Sequence, residues 1–157
     1  MKEQTKRRLF QIVYTLIQWT WGIIQNTAAL FVFLFVKLKD PKRAVSRYHG
    51  AVVTEWKLKS SMALGMFIFL GFQKDESPMA RAVLAHEYGH TVQSCILGPF
   101  YIPVIGLPSL IWANVPAAGR KWRSGTCLYY DFYTERWADY EGERVLRTKT
   151  PGRMLRS

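Results

Sequence analysis

The run His86-Glu87-Tyr88-Gly89-His90 places two histidines four residues apart, with a glutamate beside the first. Residues four apart on an α-helix lie on the same face, so a helix would bring both imidazoles to one point. Two neutral imidazoles can hold one Zn²⁺ and leave positions for a third protein ligand and a water. Glu87 would reach that water and could take its proton. The motif therefore requires a helix here and a further ligand from elsewhere in the chain.

The flanking residues predict that helix. In the run Asp75-Glu76-Ser77-Pro78, Ser77 is a typical N-cap and Pro78 suits the first helical position. Gly98-Pro99 predicts the end of the helix. Gly89 costs about 1 kcal/mol of helix propensity relative to alanine, which indicates that another backbone packs close by. The alternative interpretation is a solvated or capped pair of helix histidines that binds no metal.

A second helix, predicted over residues 131–147, offers the third ligand. It carries Glu135 and Asp139 four residues apart, in an ExxxD pattern. Glu135 could complete a His-His-Glu site, and Asp139 could bind the other ring nitrogen of a ligand histidine, which would fix its tautomer. The alternative is an ordinary charged helix stabilised by pairs of side chains within it.

Together these motifs resemble the gluzincin metallopeptidases, and above all their membrane-embedded branch of prenyl-protein peptidases and bacterial heat-shock membrane proteases. The chain is also similar to small uncharacterised bacterial membrane-associated proteins, through the blocks HEYGHTVQ (86–93), LGP (97–99), PSLIW (108–112) and YTERWAD (133–139). The resemblance implies Zn²⁺ as the cofactor and hydrolysis of peptide bonds as the activity. It implies His86, His90 and Glu135 as metal ligands, Glu87 as general base and Asp139 as their support.

Residues 9–36 contain no charged side chain. As one helix they would measure about 42 Å, against about 30 Å for the hydrocarbon core of a bilayer. We therefore predict a transmembrane helix over 9–36, preceded by a basic N-terminus over 1–8. A membrane-associated zincin-like domain over 37–147 and a loose basic tail over 148–157 would follow. Basic residues flank both ends of the helix, so they do not set its orientation.

The net charge of +11, from 22 basic and 11 acidic residues, indicates an anionic partner. Anionic lipid headgroups fit better than nucleic acid, since the basic residues lie beside apolar runs and no nucleic-acid-binding motif is present. The expected location is a membrane, the inner membrane of a bacterium.

A stripe of amide and small residues follows one face of the predicted transmembrane helix. In lipid, amide side chains need hydrogen-bonding partners, so such a stripe predicts contact with another helix. The partner could be the protein's own metal-bearing helices or a second copy in a homo-oligomer; the alternative is polar residues tolerated in a long anchor. The stripe comprises Gln11, Thr15, Gln18, Gly22, Gln25 and Ala29.

The remaining segments complete an α+β, mostly helical prediction. Alternation over residues 52–59 and an apolar run over 66–70 predict a small β-hairpin before the metal helix. The resemblance implies that a peptide substrate pairs with its edge; the alternative, which the sequence favours equally, is a purely structural hairpin. A second uncharged stretch, residues 91–119, is interrupted by glycine and proline. It predicts a broken apolar connection over 95–118, re-entrant or interfacial, with a short helix over 108–115.

These features predict a membrane-associated zinc metallopeptidase whose substrate is a peptide or a membrane protein. The oxyanion of the reaction would need a donor, for which Tyr129, Tyr130, Tyr133 and His49 are candidates, although His49 is better explained as a surface histidine beside Tyr48. The alternative is a non-catalytic membrane scaffold or assembly subunit with a structural metal site. The two differ at the metal, because a structural site is closed by a fourth side chain, whereas a catalytic site keeps one position open.

Overall fold

The computed structural model describes residues 3–72 and 77–156. Over these ranges the chain is α+β and mostly helical, as predicted. Its strands are β1 (Val45–Tyr48), β2 (Ala51–Glu55), β3 (Met62–Leu64) and β4 (Phe67–Leu70). Its α-helices are α1 (Glu3–Thr20), α2 (Ile23–Lys39), α3 (Pro78–Leu97), α4 (Leu107–Asn114), α5 (Pro116–Arg123), α6 (Tyr133–Leu146) and α7 (Pro151–Arg156).

The strands form one sheet in the order β1-β2-β4-β3. β1 is antiparallel to β2 across a two-residue turn, His49-Gly50, in which both residues have positive φ, as a type I′ turn requires. The predicted strands are present as β2 and β4, but the predicted hairpin between them is wrong, because they pair in parallel and β3 intervenes along the chain. Alternation identifies a strand and its buried face without specifying its partner.

The sheet lies between two layers of helix. Phe67 and Phe69 of β4 pack with Ala29 of α2 on one face. Ile68 and Leu70 pack on the other face, in a cluster that includes Leu84 and Tyr88 of α3. Because alternate residues of a strand point to opposite faces, β4 is buried along its whole length. This central strand holds α3 in place from one side.

The uncharged run over 9–36 forms two helices instead of the single transmembrane helix predicted. The chain breaks at Trp21-Gly22, and α1 and α2 are bent by 95° relative to one another. Among the described residues, no helix combines the length and the apolar composition that a membrane crossing needs. Two bent pairs satisfy both criteria jointly, namely α1 with α2, and residues 102–114 with α5, the latter pair bent by 68°.

Asn26 explains why the chain can break inside an apolar run. Its Nδ2 donates to the carbonyl oxygens of Gln18 at 2.6 Å and Gly22 at 2.9 Å. Its Oδ1 accepts from the backbone N–H of Met66 at 2.9 Å. Carbonyls at a helix end lack helical partners, and leaving them buried and unpaired is costly. One buried amide therefore supplies the bonds that the break removes.

The glutamine stripe packs against α3, which is one of the alternatives that the sequence left open. Gln18 Nε2 donates to the carbonyl oxygen of Thr91 at 2.9 Å. Gln25 Nε2 donates to Ser94 Oγ and to the carbonyl oxygen of Gly98, both at 2.9 Å. Gln18 and Gln25 are fully buried. The N-terminal helices are thus hydrogen-bonded to the helix that carries the HExxH motif.

We expect Asn26→Ala to lower the free energy of unfolding by about 2–4 kcal/mol, because it leaves the buried carbonyl of Gln18 and the N–H of Met66 without the partners that the amide supplies. Urea unfolding of the detergent-solubilised protein measures this change. Gln11→Ala, at an exposed position of the stripe, is the control and is expected to stay within about 0.5 kcal/mol of wild type. Equal stability of both variants and wild type would contradict this account of the break.

The later segments agree with the predictions in part. The short helix predicted over 108–115 is α4, and the connection before it consists of a 3₁₀ turn, Gly98–Phe100, and a π-helical turn, Ile102–Gly106. The predicted loose tail is wrong, since it forms α7, whose Pro151 and Gly152 are buried. Arg156 Nη2 donates to Asp131 Oδ1 at 2.9 Å and holds this helix against the start of α6.

Candidate metal centre

The HExxH motif lies in the middle of α3, as predicted. Ser77 is the N-cap and accepts from the N–H of Ala80 at 3.1 Å, Pro78 begins the helix, and Gly98 ends it. Asp75 and Glu76, part of the predicted helix start, lie outside the described residues. His86, Glu87 and His90 are all buried, although all three are polar. Buried polar groups need partners, and α6 provides two of them, Asp139 and Glu135, for His86.

Helices α3 and α6 cross with their backbones in contact. A Cβ at Gly89 would overlap the carbonyl oxygen of Ala138, and a Cβ at Gly142 would overlap the carbonyl oxygen of Ala85. The close backbone approach predicted from Gly89 is thereby confirmed. Two contacts of this kind fix both the distance and the angle between the helices. Side chains facing inward from α3 and α6 consequently meet at one place.

His86, His90 and Glu135 meet there and form a buried His-His-Glu group that could bind a metal ion. Glu135 Oε2 lies 3.2 Å from His86 Nε2 and 3.5 Å from His90 Nε2. In a tetrahedron with metal–ligand bonds of about 2.0–2.1 Å, neighbouring ligand atoms are about 3.3–3.4 Å apart. The two distances to Glu135 are therefore compatible with tetrahedral coordination of one metal ion.

In both histidines the other ring nitrogen, Nδ1, contacts a hydrogen-bond acceptor. His86 Nδ1 lies 2.8 Å from Asp139 Oδ1, the contact predicted from the ExxxD spacing. His90 Nδ1 lies 2.8 Å from Gln93 Oε1, and Gln93 Nε2 donates to the carbonyl oxygen of Thr134 at 2.9 Å, which fixes which end of the amide faces the ring. When each Nδ1 carries the proton, the Nε2 atoms present lone pairs to Glu135. Two lone pairs and a carboxylate oxygen that face one another repel, and a cation bound between them would stabilise the arrangement.

The electrostatics of the group follow from burial and from these contacts. Burial would lower the pKa of His86, but its hydrogen bonds to Asp139 and Glu135 and the charge of Glu87 outweigh this and raise it to about 10. Burial opposes ionisation of Glu135, yet His90 and His86 hold its pKa well below the usual range. In the protein alone, an imidazolium thus neutralises Glu135, a role that a bound cation would take over.

Glu87 lies beside the group without being part of it. Its side chain is buried, and its Oε2 has no hydrogen-bond partner among the described residues. Burial raises the pKa of Glu87, and this effect exceeds the opposing influence of His86 and His90. A buried carboxylate oxygen without a partner is costly unless something binds it. Glu87 is consequently available to accept a proton at the site.

Of the four candidate oxyanion donors, two lie away from the metal centre and two lie beside it. Tyr133 is half exposed and its hydroxyl donates to the carbonyl oxygen of Val104 at 2.6 Å, so it is directed away from the site. His49 is exposed and packs on Tyr88, which lies on the opposite side of α3 from His86. Neither side chain lies at the site, because spacing along the chain does not determine where a side chain points. For His49 this agrees with its interpretation as a surface histidine beside Tyr48.

Tyr130 and Tyr129 remain at the site. The ring of Tyr130 packs edge-on against His86, with centroids 5.1 Å apart, and Tyr129 packs against Tyr130. Burial raises the pKa of each, and the negative charges of Glu87 and Glu135 raise it further. Both hydroxyls therefore stay protonated at neutral pH and can act as donors.

Two further contacts were missed from the sequence. Gln93 holds His90, and its position three residues after that histidine on the same helix was a usable signal. Ser109 of α4 donates to Glu135 Oε1, which Thr134 Oγ1 also contacts at 3.0 Å. No local pattern marks Ser109, since it reaches the site only through the path of the apolar connection.

We expect Asp139→Ala to weaken metal binding by about 10–100-fold, because it removes the acceptor that orients His86. Competition with a chromogenic chelator measures the affinity. Asp139→Asn retains an acceptor oxygen and is expected to lose less affinity than the alanine variant. An unchanged affinity in Asp139→Ala would show that this contact does not support the ligand.

Comparison of the chain with models of protein families, with curated proteins and with solved structures finds no match.

Proposed function

We propose that this protein is a membrane-associated zinc peptidase that hydrolyses peptide bonds at the His86-His90-Glu135 centre. The observation that carries the proposal is the convergence of two imidazole Nε2 atoms and one carboxylate oxygen at tetrahedral spacing, 3.2 and 3.5 Å. Imidazole nitrogen combined with a single carboxylate favours zinc over magnesium or calcium, which bind mainly oxygen ligands. The same donor set, with an adjacent glutamate, is typical of zinc peptidases.

Zinc in such a site supplies a Lewis acid that polarises a carbonyl group and lowers the pKa of bound water. Glu87 supplies the proton acceptor, and its raised pKa helps it to release the proton again, to the leaving amine. Tyr129 and Tyr130 supply neutral hydroxyl groups that can stabilise charge developing on the scissile carbonyl oxygen. Asp139 and Gln93 orient the two imidazoles.

The composition of the site supports catalysis over a structural role. A structural zinc site is closed by four side chains, whereas a catalytic site has three and keeps one position for water or substrate. Among the described residues, the candidate group has three members, His86, His90 and Glu135. Asp139 lies on the far side of the His86 ring, at Nδ1, and Glu87 lies outside the group.

Membrane association is supported by large apolar side chains on the surface of the bent pair α1 and α2, among them Leu16, Phe31 and Phe35. Soluble monomers seldom expose apolar patches of this extent. The net charge of +11 favours anionic lipid as the neighbour. The substrate class that fits this setting is a peptide segment presented at a membrane surface.

Metal analysis combined with a cleavage assay tests the proposal. We expect the purified wild-type protein to bind one zinc ion and to cleave members of a peptide library, and His90→Ala to lose both properties, because two donors hold zinc poorly. His49→Ala, which changes a histidine outside the site, is the matched control and is expected to retain both. Wild-type protein that binds zinc but cleaves no peptide or membrane protein would favour the scaffold alternative.

A further inference from the structure

The exposed apolar side chains are concentrated in two parts of the chain. Most of the large ones among the described residues belong to segments 9–36 and 91–119, which contain no charged residue. Leu16, Trp21 and Phe35 in the first segment, and Phe100, Leu110 and Ile111 in the second, are each at least half exposed. We call the exposed side chains of these two segments the uncharged surface.

The two segments are in contact with each other. Gln25 Nε2 donates to the carbonyl oxygen of Gly98, and Gln18 Nε2 donates to that of Thr91, both at 2.9 Å. The indole of Trp21 packs so closely on Gly98 that a Cβ there would overlap it. The bend between α1 and α2 is thereby joined to the end of α3.

Three polar side chains of these segments, Thr15, Thr20 and Asn114, donate to backbone carbonyl oxygens of their own helices. Thr15 Oγ1 donates to the carbonyl oxygen of Gln11 at 2.8 Å, and Thr20 Oγ1 donates to that of Leu16 at 2.7 Å. Asn114 Nδ2 donates to the carbonyl oxygen of Leu110 at 2.8 Å. Such bonds are needed where water is absent, as in the hydrocarbon region of a bilayer. Together with the bonds of Asn26 at the helix break, these bonds lower the cost of placing the uncharged surface in lipid.

The lengths of the two helices fit insertion into one leaflet and not a crossing of the whole bilayer. The uncharged parts of α1 and α2, residues 9–20 and 23–36, are about 18 and 21 Å long. If the bend of 95° is the deepest point and the two helices are tilted equally from the membrane normal, each part extends about 13–16 Å below the headgroups. That depth matches one leaflet, half of the hydrocarbon thickness of about 30 Å. Neither helix alone is long enough to cross.

The charges at the two ends agree with this depth. Lys6, Arg7 and Arg8 immediately precede the uncharged part of α1, and Lys37 and Lys39 close α2. In the bent arrangement both basic ends lie at the same level. Anionic headgroups of a single leaflet would meet both of them.

We propose that the uncharged surface inserts into one leaflet of an anionic lipid bilayer, with the bend at Gly22 near the midplane and both basic ends at the same face. This inference rests on the membrane association proposed above and specifies its geometry. The metal centre then adjoins the inserted surface, because Ser109, which precedes the exposed Leu110 and Ile111, donates to Glu135.

Labelling of single cysteines tests which face the two ends occupy. Lys6→Cys and Lys39→Cys are made separately in a Cys95→Ser/Cys127→Ser background and diluted from detergent into preformed sealed vesicles of phosphatidylcholine and phosphatidylglycerol. We expect a membrane-impermeant maleimide to label both cysteines fully without permeabilisation. Protection of one of them until the vesicles are permeabilised would show a crossing and overturn the proposal.

Vesicle flotation tests which surface binds lipid. We expect Leu16→Glu and Ile24→Glu, at exposed positions close to the bend, each to weaken vesicle binding by about a hundredfold, since a charge deep in the hydrocarbon is costly. Leu58→Glu, at a position of similar exposure outside the uncharged surface, is the control and is expected to stay within about twofold of wild type. Equal effects of all three substitutions would overturn the proposal.

The same preparations show whether lipid or a second copy of the chain covers the uncharged surface. They also test the leaflet geometry separately from the proposed peptidase activity. A dimer that leaves the vesicles unbound would assign the uncharged surface to a second copy of the chain and overturn the leaflet geometry. Equal binding to vesicles without phosphatidylglycerol would overturn the role of anionic headgroups. Zinc content and peptide cleavage, measured in detergent, report on the metal centre independently of vesicle binding, so either proposal can fail alone.

Discussion

Replacing Glu87 with glutamine is expected to slow peptide cleavage by about 10²–10⁴-fold while the protein keeps its zinc. Glutamine has nearly the shape of glutamate and lies outside the His86-His90-Glu135 group, so the three ligand atoms remain in place. It cannot accept a proton at neutral pH, and the transfer to the leaving amine is lost with it. The measurements are zinc content by mass spectrometry and kcat on a peptide that the wild type cleaves.

Glu141→Gln is the matched control for this prediction. Glu141 is also a buried glutamate and contacts Trp137 and Arg144 on the outer side of α6, away from the metal ligands. We expect it to retain activity, although it weakens the pair with Arg144. Equal rates for Glu87→Gln and wild type would exclude Glu87 as the base, and loss of zinc from Glu87→Gln would assign it to metal binding instead.

Replacing Gly89 with alanine is expected to lower the free energy of unfolding by about 3 kcal/mol or more. Alanine favours a helix over glycine by about 1 kcal/mol, so helix propensity alone predicts the opposite sign. The loss arises because the added Cβ would overlap the backbone carbonyl oxygen of Ala138, and a backbone cannot rotate away as a side chain can. Separation of α3 and α6 would also move Glu135 away from the histidines, so we expect zinc affinity to fall in parallel.

Gly106→Ala provides the comparison for Gly89→Ala. Gly106 has a helical φ, and the nearest atoms to a Cβ there, in Tyr101, are 3.8 and 3.9 Å away, which is ordinary contact. We expect this substitution to be neutral or slightly stabilising. Urea unfolding with and without zinc measures both variants. Similar stability for the two alanine variants would contradict the backbone contact between α3 and α6.

Much of the candidate site could be predicted from the sequence because its geometry is local. The spacing of His86 and His90 fixes both on one face of a helix, and Gly89 signals the close crossing that brings Glu135 near. The contact of Asp139 with His86 follows from the same four-residue spacing on α6. Ser109 could not be predicted, because it reaches Glu135 through a connection whose path depends on tertiary packing.

The fold was less predictable where several conformations suit the same composition. An uncharged run favours a helix, but whether it continues through Gly22 depends on Asn26, whose partners lie on the preceding turn and at Met66. The strands were visible as patterns, but their parallel pairing results from the insertion of β3. The tail lacked an apolar periodicity, yet Gly152 fits closely against Asp139.

The contact between Ser109 and Glu135 bears on how fast such a centre could turn over. All four residues at its centre, His86, Glu87, His90 and Glu135, are buried, and Ser109 of α4 is bonded to the carboxylate of Glu135. A peptide that approached Glu135 from this side would have to displace Ser109, so each catalytic cycle would begin with opening of this contact and end with its reclosure. We therefore expect gating by this short helix, rather than scission of the bond, to limit the steady-state rate.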